Sequence, residues 1–337
     1  MHHGKGIGAL ASPARLSVAM EALGPLPEGR IAAYRPPVGT DLSPLGGDVH
    51  VIHGFRPDHD RWSRTHPVSV APEGDYAAAA VFLPRSREAG RDLIAQAMAL
   101  LPPGAPVIVD GQKTDGVDGV LRSCRKYVKG TSEAVSKAHG KTFRLPAGTP
   151  PESFPAPERR AEGMAAPAGG FSAGKVDRGS ALLADALPAH LPPHVVDLGA
   201  GWGFLSRAAL AREGVERIDL VEAEHPSAEA ARANLEGDAR VHVHWADATA
   251  WTPETPPDLV ICNPPFHQGR AAEPALGAAF IAAAARMLAP RGALLLVANR
   301  HLPYEAALSA HFAEVREAGG DAGFKIVRAE RPRRRSA

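Results

Sequence analysis

The sequence predicts an α/β protein built as two consecutive doubly wound units, and three observations carry that prediction. Short apolar runs alternate with helical stretches through the second half, the pattern of a parallel sheet covered on both faces. The stretch PAGTPPESFPAPERRAEGMAAPA at 146–168 is rich in Pro, Ala and Glu, lacks apolar periodicity and reads as a linker. At 337 residues the chain exceeds one average domain, and 45% hydrophobic with 22% charged residues suffices for two cores.

Each element follows in order. VVDLG (195–199) is an apolar run that stops at Asp and Gly; a helical stretch with Leu205, Ala208, Ala209 and Leu210 on one face comes next. RIDLVE (217–222) is the next strand, SAEAARANL (227–235) the next helix, and VHVHWAD (241–247) alternates as a third strand. DLVIC (258–262) is the fourth, then come the Ala-rich helix ALGAAFIAAAARML (275–288) and the strands GALLLVAN (292–299) and FKIVRAE (324–330). In such sheets ligands bind beyond the carboxyl ends of the strands, which is where the motifs below fall.

The first half repeats part of this plan. YAAAAVFLPRSREAG (76–90) is a strand running into a proline turn, followed by the helix RDLIAQAMALL (91–101) and the strand APVIVDG (105–111). Leu83-Pro84-Arg85-Ser86 is expected to stand where Asn263-Pro264-Pro265-Phe266 stands in the second half. The halves read as a duplicated domain whose first copy, having no Gly-rich loop, kept the architecture and lost the site. Chance likeness between two α/β domains is the alternative. The expected boundaries are a first domain at 1–145, a linker at 146–168, a second domain at 169–332 and a basic tail at 333–337.

Bulk properties exclude several classes. A formal charge of +1 gives no overall cationic field, so any nucleic-acid surface must be local. Only Cys124 and Cys262 occur, which argues against a disulfide framework or a cysteine-based zinc site. The fifteen histidines form no HxxxH pair on a helix, and no metal is expected. No apolar run approaches the roughly 18 residues of a membrane span. The N-terminal MHHGKGIGALASPARLSVAMEALG does not resemble a signal peptide, so a cytoplasmic protein is expected.

DLGAGWG (197–203) follows a strand and opens a helix, with Gly199, Gly201 and Gly203 allowing a tight turn and close approach to a ligand. The spacing is G-x-G-x-G, not the dinucleotide G-x-G-x-x-G, which disfavours a dehydrogenase. Glu222 ends the next strand, at about the twenty-residue separation from which a carboxylate reaches ribose hydroxyls. Asp247 ends the strand after that, placed to take an adenine amino group, with Ala248 beside it as Ala200 lies within the loop. Any one of these acids could be an ordinary polar residue at a strand end; three on successive strands beside a glycine loop are harder to dismiss. Asp197 is expected either to receive N–H groups of the turn or to hold a cationic ligand. S-adenosyl-L-methionine, with an adenine, a ribose diol, an ammonium and a sulfonium, meets all these demands.

DLGAGWG with Glu222, Asp247 and the run Asn263-Pro264-Pro265-Phe266 resembles the class I S-adenosylmethionine-dependent methyltransferases that act on exocyclic or amide nitrogen. The chemistry explains the run. A base NH₂ is a weak nucleophile because its lone pair is delocalised into the ring. Two acceptors, the Asn263 side-chain oxygen and the Pro264 carbonyl, hold its hydrogens and turn the lone pair toward the methyl. Proline fixes φ and makes the acceptors rigid, while Phe266 stacks on a flat target drawn out of its helix.

With the flanks FSAGKVDRGSALL (171–183), VANRHLPYE (297–305) and FKIVRA (324–329), the chain is similar to the ribosomal RNA guanine-N2-methyltransferases of the small-subunit methyltransferase C and large-subunit methyltransferase G group. That likeness is strong from about 171 to 330 and mainly architectural before 145. It implies two tandem Rossmann-like methyltransferase domains. The N-terminal one is degenerate; the C-terminal one is a seven-stranded, mostly parallel sheet with helices on both faces. It also implies that residues 171–180, among them Phe171, Lys175 and Asp177, border the cofactor and target pocket, and that Asn263 to Phe266 are catalytic. His267 and Arg270 are candidates for phosphate or base contacts, as are Arg125 and Lys126 within RSCRKYVKG (122–130). The latter run could equally be a solvated helix face. The expected partner is ribosomal RNA or a ribosomal subunit, 16S preferred over 23S, and the expected state is a monomer. Adenine-N6 methylation, protein glutamine methylation and a non-enzymatic RNA-binding assembly role are the alternatives.

Overall fold

The computed structural model describes residues 12–167, 174–265 and 274–333. It divides into two compact units, Met1–Pro157 and Glu158–Ala337. The first contains α1 (Ser12–Leu23), β1 (Arg30–Tyr34), β2 (Asp48–Ile52), α2 (Arg56–Trp62), β3 (Val68–Ser69), β4 (Ala78–Phe82), α3 (Arg87–Leu100), β5 (Pro106–Gln112), α4 (Val117–Tyr127), β6 (Val135–Lys137) and β7 (Gly140–Pro146). Its sheet order is β3-β2-β1-β4-β5-β7-β6; the first five strands are parallel, and β7 runs antiparallel to both its neighbours, β5 and β6. Every residue of β4 is buried, as expected of a central strand between two helical layers.

The second unit opens with a small hairpin, β8 (Arg160–Ala161) and β9 (Met164–Ala165). There follow α5 (Arg178–Asp185), β10 (His194–Leu198), α6 (Phe204–Leu210), β11 (Arg217–Glu222), α7 (His225–Asn234), β12 (Val241–Trp245) and β13 (Leu259–Cys262). The unit closes with α8 (Pro274–Met287), β14 (Ala293–Asn299), α9 (Glu305–His311), β15 (Phe312–Gly320) and β16 (Phe324–Pro332). The order β12-β11-β10-β13-β14-β16-β15 repeats that of the first sheet position for position. Two apolar layers cover the sheet. Leu183, Trp202 and Leu205 pack with Val195 and Ile261 on one face, and Phe280, Ile281 and Leu308 pack with Val196 and Val260 on the other. Gly277 in α8 faces the Tyr304 hydroxyl, which occupies the space a Cβ would need.

The duplication extends to strand register. Ile31 pairs with Ala78 as Val195 pairs with Leu259, and Val107 pairs with Leu145 as Leu294 pairs with Ala329. Counting along these pairs places Ala33 at the position of Asp197, His53 at that of Glu222 and Phe82 at that of Asn263. The expectation for Leu83-Pro84-Arg85-Ser86 is therefore off by one residue: Leu83 and Pro84 stand where Pro264 and Pro265 stand. The proline common to both turns is the second of the pair.

Parts of the segment expected as a linker, 146–168, pack into the two units. Pro146 closes β7, Phe154 is buried in the first core, and Met164 and Ala166 are buried in the second. The Ala165 N–H donates to Asn234 Oδ1 at 2.7 Å, and Asn234 Nδ2 donates back to the Ala165 carbonyl at 2.9 Å. Isolated anchors of this kind hold extended chain without periodicity. Among the described residues no helix is long and apolar enough to cross a membrane.

Candidate methyl-transfer site

Four parallel strands, β12, β11, β10 and β13, deliver the predicted residues at their carboxyl ends. The strand order reverses between β10 and β13, the place where open α/β sheets form a ligand crevice. The turn after β10 needs glycine: φ is +82° at Gly199, +57° at Gly201 and +90° at Gly203, the left-handed region that L side chains rarely adopt. A Cβ on Gly199 would lie 3.1 Å from Phe280 Cε1, and one on Gly203 would lie 3.2 Å from Leu235 Cδ1. At Gly201 nothing lies within 4 Å, so that glycine opens onto free space, as a cradle for a ligand requires.

Glu222 fastens the loop. Its Oε2 accepts the Gly201 N–H at 2.8 Å, and its Oε1 accepts the Glu224 N–H at 2.7 Å. Burial raises its pKa, opposed by these backbone bonds. The turn N–H expected at Asp197 thus goes to Glu222 instead, since the Gly201 amide points toward the neighbouring strand end. Asp197 is fully buried and accepts the Ser206 hydroxyl at 2.7 Å through Oδ2, while Oδ1 has no partner. Burial pushes its carboxyl up to about 7; the Ser206 bond pulls down and the Glu222 charge pushes up. Asp247 Oδ1 accepts the N–H and hydroxyl of Thr249, at 2.8 and 2.7 Å, which pins the turn after β12. Ala248 beside it is buried, as is Ala200 in the loop.

Asn263 follows β13 directly. Its Nδ2 donates to Asp177 Oδ2 at 2.8 Å and to Ser180 Oγ at 2.7 Å. Both amide hydrogens are thereby committed, and Oδ1 must face the other way; it is buried and has no partner. A buried acceptor left unmade costs roughly 1–3 kcal/mol, so the site is prepared for a donor. Asp177 has a second task as N-cap of α5, accepting the Ser180 N–H at 3.0 Å. Pro264 is buried next to Asn263.

Lys175 is exposed, and Arg178 donates to Asp321 at 2.7 Å. Arg125 and Lys126 belong to the first unit, where Arg125 is ion-paired with Glu133 at 2.6 Å and Lys126 lies 4.7 Å from the centre of the Tyr127 ring. Phe171, Phe266, His267 and Arg270 lie outside the described residues. Sequence reasoning placed Ser180 only as the end of the bordering stretch 171–180, with no role, and did not single out Ser206. The signals existed: Asp-x-x-Ser at 177–180 is a helix-capping spacing, and Ser206 lies one turn into the helix that the glycine loop opens. In the first unit the matching positions carry no such chemistry. Ala33 and Phe82 are apolar and buried, and burial drives the His53 imidazole down to about 3. Among the described residues no group of three or more His, Cys, Asp or Glu could hold a metal ion.

These groups fit S-adenosylmethionine: an orphaned buried carboxylate oxygen for a cation, an open glycine turn, and acids at two further strand ends.

Known proteins share this sequence pattern and fold. The family model Methyltransferase small domain matches residues 163–328. The ribosomal RNA small subunit methyltransferase C of Pseudomonas aeruginosa is 31% identical over 273 residues, 77% of this chain and 81% of that protein. The ribosomal RNA large subunit methyltransferase G of Shewanella oneidensis is 34% identical over 166 residues, 48% of this chain and 44% of that protein. The solved structure of the T. thermophilus 16S rRNA N2 methyltransferase, in complex with AdoMet and guanosine, superposes with a TM-score of 0.79 at 26% identity, covering 98% of this chain and 97% of that one. Two sheets of equivalent strand order, and a likeness that spans both units, lead to one conclusion: the chain belongs to the ribosomal RNA small subunit methyltransferase C family of S-adenosylmethionine-dependent methyltransferases.

Proposed function

We propose that the chain transfers the methyl group of S-adenosylmethionine to the exocyclic N2 of a guanine in small-subunit ribosomal RNA. The observation that carries this reading is the Asn263 amide, whose nitrogen is held by Asp177 and Ser180 while its buried oxygen is left to accept. That oxygen accepts one N2 hydrogen and the Pro264 carbonyl accepts the other, directing the nitrogen lone pair away from the ring. The cofactor supplies an electrophilic methyl. Asp197 Oδ1 takes its ammonium, Glu222 its ribose diol and Asp247 its adenine amino group, with Gly199, Ala200, Gly201, Gly203 and Ala248 shaping the surface. No side-chain base is needed, because the amine becomes acidic only once methylated. Phe266 stacks on the target base; Phe171, Lys175, His267 and Arg270 border the RNA. The small subunit is favoured because the likeness to the methyltransferase C of P. aeruginosa runs through 81% of that protein, against 44% for the methyltransferase G of S. oneidensis. The domain roles follow: a catalytic unit from residue 158 onward and a first unit that no longer holds cofactor. A monomer is sufficient for this arrangement.

The test is a transfer assay with labelled S-adenosylmethionine. Both ribosomal subunits from a strain lacking the protein, their naked RNAs and a release factor are offered, and labelled RNA is digested to nucleosides. Label in N2-methylguanosine from the small subunit is the expected result. Label confined to N6-methyladenosine or to the release factor overturns it.

A further inference from the structure

Helices α3 and α4 of the first unit pack side by side, and a groove of about 400 Å³ lies between them. Arg87 and Arg91 enter it from α3, and Arg122 and Lys126 from α4. Both pairs are spaced i, i+4, so each stands on one helix face. No acidic side chain lines the groove among the described residues. Three acids on or beside these helices are engaged elsewhere: Asp92 accepts Gln96 Nε2 at 2.8 Å and the Ala156 N–H at 2.9 Å, Asp118 pairs with Lys141 at 2.6 Å and Glu133 with Arg125 at 2.6 Å.

The floor is built to bring the guanidiniums together. A Cβ on Gly119 would lie 3.2 Å from Arg87 Cδ, 3.3 Å from Arg87 Nη1 and 4.0 Å from Arg122 Nη2. Glycine inside a helix costs stability relative to alanine, yet here it leaves room for two cationic side chains to converge. Arg91 Nε is buried with no hydrogen-bond partner. At the groove's end Tyr127 is 51% exposed, its ring set edge-on against Phe154 at 6.5 Å and 89°.

We infer that this groove is an RNA-binding surface separate from the methyl-transfer site, with backbone phosphates on Arg87, Arg91 and Arg122 and a base stacked on Tyr127. The inference rests on the reading of the chain as an RNA methyltransferase. Four like charges spread along one groove match a run of phosphates better than a single anion, and an exposed ring beside them suits an unstacked base. The groove also revises the sequence expectation. Arg125 points to Glu133 and drops out, while Arg87 and Arg91, thirty-odd residues earlier, come in.

The experiment measures fluorescence anisotropy of a short mixed-sequence single-stranded RNA, labelled with fluorescein, against the full chain at several salt concentrations. The variants are Arg122→Ala/Lys126→Ala and Tyr127→Ala, with Arg61→Ala/Arg64→Ala as a control that removes equal charge from another helix end. The groove variants should each lose about tenfold in affinity. The double variant should also lower the log–log salt slope by about 0.7 per phosphate contact removed. In methyl transfer the loss should fall on KM. An unchanged slope, or an equal loss in the control pair, overturns the groove. So does competition by polyglutamate as effective as that by unlabelled RNA, which assigns the groove to an acidic protein. If wild type labels guanine but the groove variants bind RNA normally, the groove fails and the methyltransferase reading stands. If wild type methylates no RNA while the variants still lose RNA affinity, the substrate reading fails and the groove stands.

Discussion

Asn263 Nδ2 donates to Asp177 Oδ2 at 2.8 Å across a separation of 86 residues, and that one bond decides which way the amide faces. An asparagine at the end of a strand could present either its oxygen or its nitrogen to a ligand. With Ser180 taking the second hydrogen, only the oxygen remains. Asn263→Ala should therefore leave S-adenosylmethionine affinity within about twofold and cut turnover by about a hundredfold or more. Wild-type turnover in that variant, measured by single-turnover transfer, rules the amide out as the oriented acceptor.

The clamp can be loosened in two degrees. Ser180→Ala removes one restraint and should lower kcat about three- to tenfold, the worth of a single hydrogen bond. Asp177→Ala removes the other restraint together with the cap of α5, so kcat should fall further and stability by about 1 kcal/mol. Differential scanning fluorimetry beside kinetics separates the two effects. Equal melting temperatures for Asp177→Ala and wild type argue that the cap contributes nothing.

Protonation of Asp197 links pH to both stability and binding. Its folded pKa of about 7 lies above the ordinary 3.8, so between these values the folded chain holds a proton the unfolded chain releases. The stability this confers is complete below the lower value and is lost as pH rises through the upper. Asp197→Asn should therefore stabilise the cofactor-free chain more at pH 8 than at pH 5. Cofactor affinity in the wild type runs the opposite way, weakening by up to about tenfold per pH unit below 7, because the ammonium needs the ionised form. Calorimetric titration at pH 5.5, 6.5 and 7.5 checks this; a flat profile removes Asp197 from the cationic end of the cofactor.

Gly201 and Gly199 separate cradle from packing. Gly201→Ala meets no protein atom, so its cost to the fold is the left-handed backbone alone, about 1–2 kcal/mol. Cofactor affinity should fall by at least tenfold. Gly199→Ala must also displace the Phe280 ring and should lose more stability. Undiminished cofactor binding in Gly201→Ala shows that the ligand passes elsewhere.

Each chain should bind one cofactor. Ala33, His53 and Phe82 leave the positions that match Asp197, Glu222 and Asn263 without an acid or an amide, and equilibrium dialysis should saturate at a ratio of one. A ratio of two contradicts the assignment of the first unit.

Much of the second sheet was legible because its central strands are apolar on both faces and end at glycine, acid or proline. β15 was not: Glu314, Arg316 and Glu317 sit on an exposed edge, so FAEVREAGG shows no inward face to read. The glycine loop and the Asn-Pro-Pro turn announced themselves by composition. Their orientation did not, since the Asp177–Asn263 bond and the meeting of Arg87 with Arg122 arise only when distant segments pack. The one-residue error at Leu83 has the same root: a lone proline cannot say which member of a pair it matches, whereas sheet register can.

The shared register of the two sheets has an evolutionary consequence. Asn263 and Asp247 stand past the last paired residue of their strands, and Asp197 and Glu222 stand in the last two paired positions of theirs, whereas the residues that hold the sheet stand further back. Losing an acid or an amide there exposes no core and breaks no ladder, so a copied domain can drift out of activity through a series of well-folded ancestors. Selection on solubility alone then suffices to keep its frame, and the freed surface of its helices is raw material for recognition.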